Sequence, residues 1–79
     1  MNIEQKVKEL VANTFNLGVE EIAKDSGPEN ISEWDSFGQM NLVTLIEDEF
    51  GFQFDFEEIF RIYDTESLIN LVEDKINGK

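Results

Sequence analysis

The sequence predicts an all-α protein: a four-helix bundle with a long connection between the first and second helices and a short third helix. Three observations carry this expectation. Apolar residues recur at three- and four-residue spacing in three separate stretches, residues 24–35 interrupt that rhythm with turn formers, and the one alternating run in the chain has no second run to pair with. A chain of 79 residues is long enough for one modest core and too short for two, so residues 1–79 are expected to form a single domain. Hydrophobic residues reach 41% and include seven Phe, enough apolar surface to fold a chain that is 30% charged.

The first helix is expected over about residues 2–15, where Ile3, Val7, Leu10, Val11 and Phe15 share one face and Asn2 caps with Gln5 three residues on. Gly18 is expected to let the chain leave that helix, with a short turn around Glu20-Glu21. Residues 24–35 read as a surface loop whose apolar exceptions, Ile31 and Trp34, pin it onto the core. The second helix is expected over residues 36–50, capped by Asp35, with Phe37, Met40, Val43, Leu45, Ile46 and Phe50 as its apolar positions. Phe50, Phe52, Phe54 and Phe56 alternate with other residues as a strand would, but a lone strand leaves its backbone groups unpaired. The segment therefore reads as an extended connection that plugs its rings into a helical core. A short third helix is expected over residues 57–63. Asp64 then caps a fourth, whose Leu68, Leu71, Val72 and Ile76 form one face and which Gly78 ends.

Composition narrows the chemistry. Without cysteine there are no disulfides, thiolate metal sites or protein thiol nucleophile, and without histidine the usual general base near neutral pH is missing. Catalysis by the chain alone is therefore not expected, nor is a metal site. The first residues open directly into an amphipathic pattern, and no long apolar span follows, so a cytoplasmic protein without membrane insertion is expected. With 18 acidic against 6 basic residues the net charge is −12, which repels nucleic acid and favours basic protein surfaces. A calcium-binding protein can share this composition, but no segment supplies the alternating oxygen ligands, central glycine and terminal glutamate of an EF-hand loop.

Asp35-Ser36-Phe37 stands where the long loop meets the second helix, which places a hydroxyl at an exposed helix N-terminus. Unpaired backbone N–H groups and the helix dipole favour an anion there, so a phosphate ester on Ser36 is electrostatically suited to the position. By itself the motif is a plain capped helix start. It also resembles the Asp-Ser-Leu motif of the acyl carrier protein family, whose serine receives 4′-phosphopantetheine. The resemblance extends to Leu17-Gly18-Val19-Glu20-Glu21-Ile22, to residues 42–52 with Glu47-Asp48-Glu49-Phe50-Gly51-Phe52, and to Asp64-Thr65-Glu66-Ser67-Leu68, in matching order and spacing.

That resemblance implies a carrier rather than an enzyme. A phosphopantetheinyl transferase would move the arm from coenzyme A to Ser36, with Asp35 presented for its recognition, and the arm's thiol would hold an acyl group as a thioester for acyl-loading and acyl-using enzymes of fatty-acid, lipid or specialised acyl biosynthesis. The alternatives are an aminoacyl or peptidyl carrier and, from another class, an unmodified acidic interaction module. The chain departs from the family pattern at Phe37, where leucine is usual, at Gly38 and Asn41, where many fatty-acid carriers are acidic, and at Glu33-Trp34. Trp34-Asp35-Ser36 resembles specialised stand-alone carriers, and some aminoacyl and peptidyl carriers, more than the housekeeping type.

From Asp35 to Glu66 nine residues are acidic and one, Arg61, is basic. In a carrier this field is expected to steer a monomer onto basic docking surfaces, with Glu47, Asp48, Asp55, Glu57 and Glu58 giving charge and Phe37 and Met40 giving apolar contact. Met40, Val43, Leu45, Ile46, Ile59 and Ile62 can line an interior that shelters cargo; they are equally what any such core requires.

Overall fold

The computed structural model describes residues 2–78, which form four α-helices and one 3₁₀ turn, with no strand among them. Helix α1 spans Ile3–Phe15 and starts where Asn2 Oδ1 accepts the Gln5 N–H at 3.0 Å. Its buried face is Val7, Leu10, Val11, Ala12 and Phe15. The helix ends at Asn16 rather than at Gly18: Asn16 takes the left-handed conformation (φ 58°), which a short polar side chain tolerates better than most. Gly18 has an ordinary φ of −77° and instead opens the 3₁₀ turn Val19–Glu21, donating its N–H to the Glu21 carboxylate at 2.8 Å.

The connection between this turn and the second helix is held down from both ends. Ile22, Ile31 and Trp34 are buried, the latter two as expected, and Trp34 stacks on Phe15 with ring centroids 5.2 Å apart. A polar anchor adds to them. The backbone N–H and the hydroxyl of the buried Thr65 both donate to the Ser26 carbonyl at 2.8 Å, and the Glu66 N–H donates to the Lys24 carbonyl.

Helix α2 covers Ser36–Phe50 under the expected Asp35 cap. Its core stripe is Gly38, Leu42, Val43 and Ile46; Met40 and Leu45, candidates for lining the interior, are exposed instead, and Phe37 is exposed too. Residues 38, 42 and 46 recur every four positions and face α1, which turns 37, 40 and 45 away. Gly51 ends the helix in the left-handed region (φ 76°), where a Cβ is strained. The chain then runs extended, and the Phe54 N–H donates to Glu47 Oε2 at 2.8 Å, giving a backbone donor of this strand-like segment a side-chain partner.

Phe54 is buried, and Phe50 and Phe52 pack half-buried against the core, in line with expectation. Phe56 does not plug in. It is 75% exposed and opens helix α3, Phe56–Phe60, one residue earlier and three residues shorter at its end than the spacing predicted. Asp55 is its N-cap residue: its carbonyl accepts the Ile59 N–H at 3.2 Å and its own N–H donates to Glu58 Oε1 at 2.7 Å, while residues 61–63 lead on to the next cap. Asp64, as expected, starts helix α4 (Thr65–Asn77), accepting the Ser67 N–H at 2.8 Å, and Gly78 ends it. Leu68, Leu71 and Val72 face inward, joined by Ile69, whereas Ile76, in the last turn, is exposed.

The core lies where α1 packs against α2 and α4. Val7, Val11, Leu42, Ile46, Leu68 and Val72 are all completely shielded from solvent there. Burying each such side chain is worth about 1.5–3 kcal/mol, so this three-helix contact is a large apolar contribution to folding.

Candidate functional site

Ser36 is the first residue of α2 and is exposed. Of the amides in that first turn, Gly38 N–H is taken by Asp35 Oδ1 at 2.8 Å and Gln39 N–H by the Asp35 carbonyl. Those of Ser36 and Phe37 have no carbonyl one turn back inside the helix. The dipole end and these amides give a negatively charged group on Ser36 a favourable place, as expected from its position in the chain.

Gly38 explains how the serine comes to face outward. A Cβ at this position would run into the Glu33 carbonyl oxygen and come within 2.8 Å of the Phe15 ring. The loop carrying Glu33 and Trp34 thus lies directly on the first turn of α2, filling the inner side and leaving Ser36 and Phe37 on the outer one. An acidic side chain at 38 has no room here, which accounts physically for one of the chain's departures from the family pattern.

Beside Ser36 a groove of about 480 Å³ opens between α2 and α3. Its walls are Met40, Phe56 and Phe60; Trp34, Gln39, Ile59 and Ile62 make its floor, and Asp35, Ser36 and Pro28 stand at its edge. Phe56 and Phe60 meet edge-on with centroids 4.9 Å apart, and together with Phe37 and Tyr63 each is more than 70% exposed. Four rings this exposed are more than a protein of this size ordinarily leaves to solvent.

Gln39 was not among the residues expected at the site. Its carboxamide accepts from Trp34 Nε1 at 2.6 Å and donates to the carbonyls of Ile59 at 3.0 Å and Ile62 at 3.3 Å, tying the loop, α2 and α3 together beside the serine. The available signal was Trp34 itself: a buried indole N–H needs an acceptor, and Gln39 is the amide side chain one turn into the next helix.

The acidic residues expected to meet partners divide into two groups. Asp48, Asp55 and Glu57 are exposed and, among the described residues, form no ion pair. Glu47 and Glu58 are half-buried and engaged within the fold, Glu47 with the Phe54 amide and Glu58 with Lys75 Nζ at 2.8 Å. The Lys75 hydrogen bond, together with the Asp55 amide, holds the Glu58 carboxyl below the usual carboxylate range despite the opposing effect of burial, and the same contact raises Lys75 above the usual lysine value. Among the described residues no group of His, Cys, Asp and Glu gathers as metal ligands do, and no helix is long and apolar enough to cross a membrane.

With this geometry in hand, comparison with known proteins defines the class. Residues 5–72 match the family model described as the phosphopantetheine attachment site. Among individual relatives, an acyl carrier protein of Petrotoga mobilis (strain DSM 10674 / SJ95) is 30% identical over 73 residues, covering 92% of this chain and 86% of that protein. The chain belongs to the acyl carrier protein family, whose members are carriers rather than catalysts and whose cofactor is 4′-phosphopantetheine.

Proposed function

We propose that Ser36 is the attachment residue, and that residues 1–79 act as one monomeric, cytoplasmic carrier unit that presents an acyl thioester to partner enzymes. The observation that carries this reading is the exposed Ser36 hydroxyl at the capped N-terminus of α2, at the edge of the aromatic groove. A phosphodiester fits there: the helix end favours its charge, and the groove gives an apolar surface for the rest of the arm. In loading, Ser36 Oγ forms a bond to phosphorus while the bond between the two phosphates of coenzyme A breaks. Adenosine 3′,5′-bisphosphate leaves, and the serine proton passes to a base on the transferase. When bound, the arm supplies a thiol, the nucleophile that this chain's own residues lack.

Asp35 fixes the first turn through Gly38, so the transferase meets a serine whose backbone is already set, and its carboxylate is the charge nearest the reacting hydroxyl in sequence. Around them Phe37, Met40, Phe56 and Phe60 supply apolar contact, and Asp48, Asp55 and Glu57 supply free negative charge, with Glu47 and Glu58 adding to the field from their places in the fold. A basic enzyme surface with an apolar centre is the complement of this face.

The test is incubation with coenzyme A and a broad-specificity phosphopantetheinyl transferase, read by intact mass. The wild-type chain gains one arm, and Ser36→Ala gains none while keeping its helical circular dichroism. A gain that persists in the alanine variant overturns the assignment.

A further inference from the structure

Six residues were candidates for sheltering cargo inside the bundle, and the structure separates them. Val43, Ile46 and Ile62 are buried, Ile59 is half-buried, and Met40 and Leu45 lie outside. Gln39 lines the groove beside Ile62, and its carboxamide is engaged by the Trp34 indole on one side and by the backbone carbonyls of Ile59 in α3 and Ile62 just beyond it on the other. We propose that Gln39 bolts the bundle shut, so that cargo on the Ser36 arm rests in the open groove against Met40, Phe56 and Phe60, which selects short acyl or aromatic groups over long alkyl chains.

The reason is the cost of opening. Passage inward between α2 and α3 requires α3 to move off α2, and this breaks both bonds that the Gln39 carboxamide donates, to the Ile59 and Ile62 carbonyls. An alkyl chain brings neither donor nor acceptor, so the Gln39 amide N–H groups and the Ile59 and Ile62 carbonyls would lose these partners in an apolar setting. Behind Gln39 the space is filled: Trp34 is 1% exposed and stacked on Phe15, and Leu42 and Ile46 are fully enclosed. The groove, in contrast, is already open, lined by rings, and adjacent to the serine.

This inference rests on Ser36 being the loaded residue, and the experiment keeps the two apart. Wild-type protein is loaded from acetyl- and octanoyl-coenzyme A by the transferase, with intact mass confirming each product; failure to load at this step counts against the carrier reading alone. Methyl and aromatic NMR spectra of the two loaded forms are then compared. In the wild type, replacing acetyl by octanoyl shifts Met40, Ile59, Phe56 and Phe60 and leaves Leu42, Ile46 and Leu68 where they were. Gln39→Met, which keeps the length and removes the bonds, lets the octanoyl perturbation spread to Leu42 and Ile46. Gln39→Glu, which retains the acceptor for Trp34 but loses both donors, gives the same reading should the methionine variant fold poorly. Core shifts in octanoyl-loaded wild type, or groove-limited shifts in a folded variant, overturn the proposal.

Discussion

Helix α3 and the contact of α1 with α2 and α4 are built from the same residue types and held by different forces. The three longer helices interlock through side chains with no exposure, whereas α3 has five residues and none of them buried. What keeps α3 in place is mainly polar: the Gln39 carboxamide on the Ile59 carbonyl and on that of Ile62 just past the helix, the Asp55–Glu58 cap and the Glu58–Lys75 ion pair, with Ile59 as its partial apolar foothold. That contrast shows where a small carrier tolerates variation. Apolar interlock resists any change of volume, while a helix held by a few directional bonds can present large exposed rings beside the serine without endangering the fold.

The steepest loss of stability should separate the two regions. Leu42→Ala should cost about 3 kcal/mol in urea unfolding, as cavity-forming changes of enclosed leucines do. Phe60→Ala, removing a ring that is 73% exposed, should change stability by no more than about 0.5 kcal/mol. Equal losses in the two variants would erase the distinction. Next in size is Gly38→Ala, which forces the loop off the first turn of α2 and should cost about 1–3 kcal/mol, an overpacking penalty seen in the same unfolding experiment. It should also slow loading of Ser36, because the turn that sets the serine is the one displaced.

Milder changes should appear on the acidic face. Reversing Asp48 and Glu57 together to Lys is expected to weaken association with a basic partner such as the transferase by about 1 kcal/mol or less per residue and to flatten its dependence on salt, measured by stopped-flow binding at several ionic strengths. Unchanged rates at low salt would make these residues a solvated surface only.

The mildest change concerns the tie that anchors α3 to α4. The folded-state pKa of Glu58 is lowered, so the stability it contributes is present above its unfolded value, about 4.3, and is lost as pH falls through the folded one. Lys75 is raised, so its share holds below about 10.4 and fades as pH rises through its folded value. Acidification also relieves the self-repulsion of a chain with net charge −12, which acts in the opposite direction, so the useful quantity is a difference. The melting-temperature gap between wild type and Glu58→Gln should be level between about pH 5 and 10 and close below about pH 4. A gap that widens in acid would mean the ion pair does not hold α3.

The two regions were also unequally legible in the sequence. Helices α1 and α4 carry regular apolar faces and good caps, and Asn2, Asp35, Asp64 and Gly78 fall where cap chemistry places them. Helix α2 misled because it has two apolar faces, one for α1 and one for the groove. Spacing alone cannot say which of Leu42 or Met40 is inside when both fit a three-to-four rhythm. The alternating phenylalanines were ambiguous for a similar reason: nothing local to Phe56 shows that the chain turns into a helix there and leaves the ring outside. The helix start at Asp35-Ser36-Phe37 was readable from cap chemistry alone, whereas the resemblance that singles out Ser36 came from the order and spacing of the rest of the chain. The Gln39 clamp joins residues 20 and 23 positions apart, and the Thr65–Ser26 anchor spans 39, separations at which no periodic pattern operates.

Attachment of the arm at Ser36 is tested most directly by top-down fragmentation of the protein isolated from its own cells with cargo attached. If Ser36 is the single attachment residue, fragments bracketing Asp35 to Phe37 carry the whole added mass, and Ser26, Ser32 and Ser67 carry none. A modified population whose added mass lies on any of those other serines, or a chain that remains unmodified when the transferase is abundant, would contradict it.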